Sequence, residues 1–208
     1  DGDDHTVSGI YINETLGFQG LFDYADGATI KNIGVTDSYI CGKSAAGIVG
    51  YIKNSTKLTN CYNTGSIIGV AYVAGVVGQS YNNNTFFGCY NTGSVKGSQE
   101  VVGIPGIGGV VGYNSSNSTI SGCYNTGNVN GSKRVGGVVG DNFNSTIYGC
   151  YNAGNVNGGQ NIMQYGGVGG VVGYNGGTIS GCFNTGSVSG GTEGVGGVAG
   201  GIFGTVEN

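Results

Sequence analysis

Tryptophan is absent from this sequence, and proline and histidine occur once each in 208 residues. Charged residues make up 9% of the chain, against about 25% in an ordinary soluble domain. Each shortage excludes something. The one histidine, His5, sits in the run Asp1-Gly2-Asp3-Asp4-His5. Alone at that end it supports neither a histidine-rich zinc site nor a Ser-His-Asp triad. No Gly-x-Ser-x-Gly elbow is present either. The 7 Lys and Arg, within a net charge of −4, form no cluster that could track a phosphate backbone, so nucleic acid is not an expected partner. The longest weakly polar stretch, residues 101–113, is glycine-rich and shorter than the ~20 residues of a spanning helix. No membrane insertion is expected. One proline and no Gly-x-y period exclude collagen. The chain starts at Asp1 without a methionine or signal peptide, as expected of a piece processed or excised from something larger.

Cofactor and metal signatures are missing too. Gly106-Ile107-Gly108-Gly109-Val110-Val111 has the density of a nucleotide loop but only part of its spacing, and no lysine follows any glycine loop in the Walker arrangement. Calcium-binding glycine repeats place Asp at fixed turns, where this chain has Asn and Thr. No cofactor, metal or catalytic residue is expected. Asp23, Asp26 and Asp37 form the one acidic cluster of note, best read as part of a solvated end coil.

What is present is glycine (48 residues) and asparagine (23), arranged in a repeat. Five boxes align: Cys61-Tyr62-Asn63-Thr64-Gly65, Cys89-Tyr90-Asn91-Thr92-Gly93, Cys123-Tyr124-Asn125-Thr126-Gly127, Cys150-Tyr151-Asn152-Ala153-Gly154 and Cys182-Phe183-Asn184-Thr185-Gly186. A second box, Gly-Val-Val-Gly in its commonest form, starts at Gly47, Gly75, Gly109, Gly137, Gly170 and Gly197. A third places Leu58, Phe86, Ile120, Ile147 and Ile179 three residues before the cysteines. The Gly-Val-Val-Gly start precedes its cysteine by 14, 14, 14, 13 and 12 residues. The return from cysteine to the next start takes 14, 20, 14, 20 and 15. One half of the repeat is nearly fixed, as packed strands require, and the other takes up loop insertions.

Glycine at this density opposes helix, at about 1 kcal/mol per residue. Short runs of Val, Ile, Tyr and Phe between Asn-x-Gly and Gly-Gly turns favour strands. The expected fold is all-β, a β-solenoid or β-helix with one coil per repeat of about 28 residues and two or three short strands per coil. Residues 1–19 are expected as an N-terminal strand and cap segment, and residues 20–208 as the solenoid, with its last unit truncated. Equivalent side chains should then stack at about 4.8 Å. Val138, Ile147 and the five repeated cysteines should face inward as reduced thiols. Ile179 and Cys182 break strict alternation, so a bend is expected at Gly181. Asn63, Asn91, Asn125, Asn152 and Asn184 should form a structural amide ladder. Cys41 lies off this register.

Two surfaces are candidates for binding. The elastic segments 98–104 and 158–165, with the shorter turn between them, carry Glu100, Lys133, Arg134, Gln160, Met163, Gln164 and Tyr165. Insertions on one face of a solenoid often form its binding face. Opposite the cysteines, Tyr62, Tyr90, Tyr124, Tyr151 and Phe183 should form an outer aromatic stripe, able to stack on sugar rings or pack another protein.

These boxes resemble the GLUG-motif repeats of bacterial surface proteins. The matching text is Gly20-Leu21-Phe22 with Ala28-Thr29-Ile30-Lys31-Asn32-Ile33-Gly34-Val35. Later units match at Val135-Gly136-Gly137-Val138-Val139-Gly140 and from Thr178 through Val188. The resemblance implies an extracellular stalk or adhesion module. Some such repeats accompany IgA-specific metallopeptidases, whose His-Glu-x-x-His zinc motif is absent here. The expectation is therefore a secreted or cell-wall-associated, non-enzymatic module, with glycan or host surface protein as ligand and end-to-end self-association through strand edges. The rival expectation is an accessory domain of a secreted peptidase or a degenerate polysaccharide-active β-helix enzyme.

Overall fold

A computed structural model describes residues 1–98, 105–159, 166–191 and 194–207. The chain winds into an all-β solenoid whose strand pairs are parallel and in register, with no helix among the described residues. One turn runs through Val49–Lys53, Lys57–Thr59, Tyr62–Asn63, Ser66–Gly69 and Val73–Ala74. The next turn starts with Val77–Tyr81, paired onto Val49–Lys53. A turn thus contains five strands, more than the two or three expected. Several have only two or three residues, too few for an alternating pattern to stand out. In two later turns the first and second strands fuse into Val139–Tyr148 and Val172–Ser180.

Tyr90 lies over Tyr62 and under Tyr124, which places Cys89 and Cys123 on adjacent rungs as the repeat requires. The third and fourth strands of successive turns each form a seven-stranded sheet. Residues 5–8, 11–13 and 18–19 pair in register with the following turn. The first nineteen residues therefore supply rungs of the same solenoid.

The interior has two compartments. The larger is bounded by the first three strands of each turn and filled by Val110, Val111, Ile120 and Cys123 and their equivalents, Val138 and Ile147 included. The smaller lies between the fourth and fifth strands and is filled by Ile67, Val73, Val95, Ile107, Val129 and Val135. Between them runs the asparagine ladder. Asn63, Asn91, Asn125 and Asn152 each donate from Nδ2 to the side-chain oxygen of the next asparagine, at 2.8, 2.8, 2.8 and 2.7 Å. The same Nδ2 also donates to the carbonyl two residues on, that of Gly65, Gly93, Gly127 or Gly154. A polar row can cross this interior because its amides satisfy one another and the backbone.

The first glycine of the Gly-Val-Val-Gly box makes room for that row. A Cβ on Gly109 would stand 2.7 Å from Asn125 Cβ and closer still to the Gly137 carbonyl oxygen. The box and the Cys-Tyr-Asn box, far apart in sequence, thus meet in the middle of the molecule. The bend inferred at Gly181 is present, with φ of 55°. Its equivalents Asn32, Asn60, Gly88, Gly122 and Gly149 are all left-handed, at 51–62°. Glycine or asparagine occupies this position in these six turns and Asp4, at 59°, in the turn before them, the residues that tolerate it at least cost.

All six cysteines are free thiols. Cys61, Cys89, Cys123 and Cys150 are fully buried, and Cys182 is half-buried near the last turn. Hydrogen bonding between neighbouring thiols, together with burial, raises Cys61, Cys123 and Cys182 above the ordinary thiol range. Cys41 stands outside this ladder, in the fourth-strand column beside Asn13 and Ile68.

Candidate functional site

Two aromatic stripes run along the solenoid axis. In the first, Tyr62, Tyr90, Tyr124, Tyr151 and Phe183 stack with ring centroids 4.7, 4.8, 5.0 and 5.2 Å apart and planes within 6° of parallel. The strand spacing imposes this distance. Each ring covers its neighbour's face, so the stripe turns edges and hydroxyls to solvent, and Phe183 is the most open ring of the stack. Burial, followed by the neighbouring tyrosines, pushes the Tyr90 and Tyr124 phenols above their ordinary value.

The second stripe lies in the corner where the fifth strand of one turn meets the first strand of another. Its residues directly follow the Gly-Val-Val-Gly boxes: Tyr51, Gln79, Tyr113, Asp141 and Tyr174 form one register column. The fifth-strand column faces them across the corner. Phe18 packs on Tyr51 at 5.0 Å, and Tyr72 meets Tyr113 edge-on at 5.5 Å. Gln79 Nε2 donates to Ser44 Oγ at 3.0 Å. The Arg134 guanidinium lies 3.8 Å over the Tyr174 ring, a cation–π contact, and also donates to the Asp141 carboxylate. Tyr81 bridges outside Gln79, at 5.5 Å from Tyr51 and 5.1 Å from Tyr113.

Asp141 is the chemically distinctive residue of this corner. Its side chain is only 2% exposed, and among the described residues its Oδ1 has no hydrogen-bond donor. Burial raises its pKa above the ordinary carboxylate value, with Arg134 opposing. Neither Asp141 nor Gln79 was among the site residues expected from sequence. The position immediately after each Gly-x-x-Gly box, read as a column, is the signal that exposes both.

Of the expected loop face, Lys133 and Arg134 fall among the described residues. Both are half-buried at the turn that leads into the corner. Glu100, Gln160, Met163, Gln164 and Tyr165 lie outside the described residues. A groove of about 530 Å³ includes Glu14, Cys41, Ile68, Lys96 and Ser98. Asp23, Asp26 and Asp37 do not converge. Asp26 accepts from Asn54 at 2.8 Å and pairs with Lys53 at 3.3 Å, whereas Asp37 accepts from Ser8. The Asn54 amide chiefly, with Lys53 and Tyr24 adding, holds the Asp26 carboxyl below its ordinary value. Among the described residues no three His, Cys, Asp or Glu side chains gather to hold a metal ion. No helix there is long and apolar enough to cross a membrane.

The motif model described as "The GLUG motif" matches residues 105–130 and 164–189. The chain carries GLUG repeats. Each matched GLUG segment follows the coil from the fifth strand, through the Gly-Val-Val-Gly and Cys-Tyr-Asn boxes, to the fourth strand. The first contains the core residues Val110, Val111, Ile120 and Cys123, the stripe residue Tyr124 and the ladder residue Asn125. Gln79 and Asp141 belong to GLUG-like coils outside both segments. A crystal structure of a candidate immunoglobulin A1 protease from Bacteroides ovatus, at 1.30 Å resolution, has the same fold. The TM-score is 0.63 at 19% identity, covering 94% of this chain and 67% of that one. No curated protein matches significantly.

Proposed function

We propose that this region is a non-catalytic structural and adhesion module of a secreted or cell-wall-associated bacterial protein. The reading rests chiefly on one observation: the repeated side chains are committed to one another. The asparagines bond their neighbours, the cysteines and valines fill the interior, and the tyrosines of the first stripe cover each other's faces. Such an array builds a stiff rod that grows by about 4.8 Å per turn and leaves binding to positions where the repeat is broken. The partner is a glycan or a host surface protein, met at the corner stripe.

A second reading follows from the Bacteroides ovatus likeness: the solenoid is an accessory domain of a secreted peptidase, holding that enzyme away from the cell. A polysaccharide-active enzyme is less well supported, since the acidic cluster of Asp23, Asp26 and Asp37 does not converge: Asp26 engages Asn54 and Lys53 while Asp37 engages Ser8. The deciding experiment incubates the purified region with mucin glycoproteins and a broad glycan panel, measuring retention and product release together. Retention without released sugar or peptide is expected. Turnover that persists after repurification would overturn the non-catalytic reading.

A further inference from the structure

The second stripe is interrupted in a way that makes a pocket. Tyr24, Tyr51 and Tyr113 share its column, but between Tyr51 and Tyr113 the column holds Gln79. The facing position holds Ser44, where the rung below has Phe18. The resulting cavity, about 210 Å³, is lined by Gly17, Phe18, Lys43, Ser44, Tyr72 and Gln79, with Ala71 completing the wall. Pockets for drug-sized ligands run to about 300–1,000 Å³, so this one has room for a single ring.

Its chemistry is specific. Phe18 and Tyr72 supply aromatic walls of the kind on which sugar C–H faces pack. The floor is polar and largely fixed: Gln79 is 8% exposed and Ser44 2%. Gln79 donates to Ser44, whose hydroxyl donates to the Tyr72 carbonyl at 3.3 Å. That order uses one of the two Gln79 amide hydrogens and the Ser44 hydroxyl hydrogen, and leaves the Gln79 carboxamide oxygen to accept from a ligand hydroxyl. Lys43 stands exposed at the rim. Among the described residues no ion pair uses Lys43. Tyr72 is held at φ of 52°, a left-handed conformation costly for an aromatic residue and typical of ligand clamps.

We propose that this pocket binds one carboxylate-bearing sugar residue, its ring against Phe18 and Tyr72, a hydroxyl on Gln79 and its carboxylate on Lys43. The assignment rests on the adhesion reading and names the ligand class of the corner stripe. Hexuronates and sialates share the required chemistry.

The test is titration of the purified region with three oligosaccharide probes, ending in glucuronate, in N-acetylneuraminate and in neutral glucose. At least one acidic probe should bind roughly tenfold or more tightly than the neutral one, as expected for a charge-assisted contact. Lys43→Gln should abolish that preference. Tyr72→Gly should weaken every probe while relieving the backbone, and thermal unfolding checks that both variants fold. Equal binding of acidic and neutral probes would overturn the proposal. So would acidic binding that survives both variants unchanged, which would move the glycan site elsewhere and leave the adhesion reading standing. Absence of binding to these probes, with retention of other glycans or of mucin, would refute the pocket alone. No retention of any glycan would refute the pocket and the glycan form of the adhesion reading together.

Discussion

The two tyrosine stripes are built at the same rung spacing, yet one is uniform and the other is not. From Tyr62 to Phe183 every rung carries a ring, and each ring stacks almost parallel on the next. In the corner, Tyr51, Gln79, Tyr113, Asp141 and Tyr174 alternate ring and polar group, and the facing column changes from rung to rung as well, through Phe18, Ser44, Tyr72, Gly106 and Arg134. A uniform ladder optimises contacts between neighbours, each aromatic pair adding about 0.5–1.5 kcal/mol. It leaves little for a ligand. A broken ladder forgoes some of that stacking, and at its gaps stand a pocket and a buried ion pair. In a repeat protein, departure from the repeat is therefore a better guide to binding chemistry than the repeat itself. The first stripe's hydroxyls and ring edges form a regular surface, whereas the second stripe's gaps have individual shapes.

The strongest way to break the uniform half of this comparison is at its buried neighbour. Asn125→Ala would leave one of the two Asn91 amide hydrogens without its acceptor, and the Asn152 side-chain oxygen and Gly127 carbonyl without the Asn125 donor. At about 1–3 kcal/mol for each stranded buried group, a loss of roughly 3 kcal/mol or more is expected in chemical denaturation. A loss below about 1 kcal/mol would mean the ladder is ornamental. Next in size, Tyr124→Ala should cost about 1–3 kcal/mol, because it opens two stacked pairs and leaves a gap. Tyr124→Phe should stay within about 0.5 kcal/mol, since Phe183 fills the same column without a hydroxyl. Filling the other stripe tests the reverse. Gln79→Tyr should change stability by less than about 1 kcal/mol while removing acidic-sugar binding. Retained binding would show that the gap is not the site.

The uniform features were legible in the sequence because repetition writes them several times. The cysteine interior, the outward tyrosines, the asparagine ladder and the bend at Gly181 all follow from box spacing and the physics of stacking. The number of strands per turn did not, because two-residue strands such as Tyr124–Asn125 are too short to carry a period. The corner was missed for a different reason. It pairs Ser44 with Gln79 and Tyr72 with Tyr113, residues 35 and 41 apart, and only the way turns fold against one another sets that offset. In sequence Arg134 reads as one residue of a candidate binding face. The structure gives it Asp141 and Tyr174 as partners, neither foreseeable before the winding is known.

The smallest expected effect lies at that ion pair, and its sign separates two opposing causes. Burial raises the folded-state pKa of Asp141, and Arg134 pulls it back. Over the interval between the ordinary carboxylate value of 3.8 and the raised folded value, the folded chain therefore binds more protons than the unfolded one. Stability from this group is complete below pH 3.8 and is lost as pH rises through the folded value. Asp141→Asn keeps the shape and removes the titration. Relative to wild type, the variant should gain stability steadily as denaturation is repeated at rising pH, with the gap levelling off above the folded pKa. The opposite trend, wild type gaining on the variant, would mean that Arg134 outweighs burial and that the corner is held together by its charges. If the expected trend is found, Asp141 weakens the rod at neutral pH. That is unlike any residue of the uniform stripe, and it is the behaviour of a group kept for something other than stability.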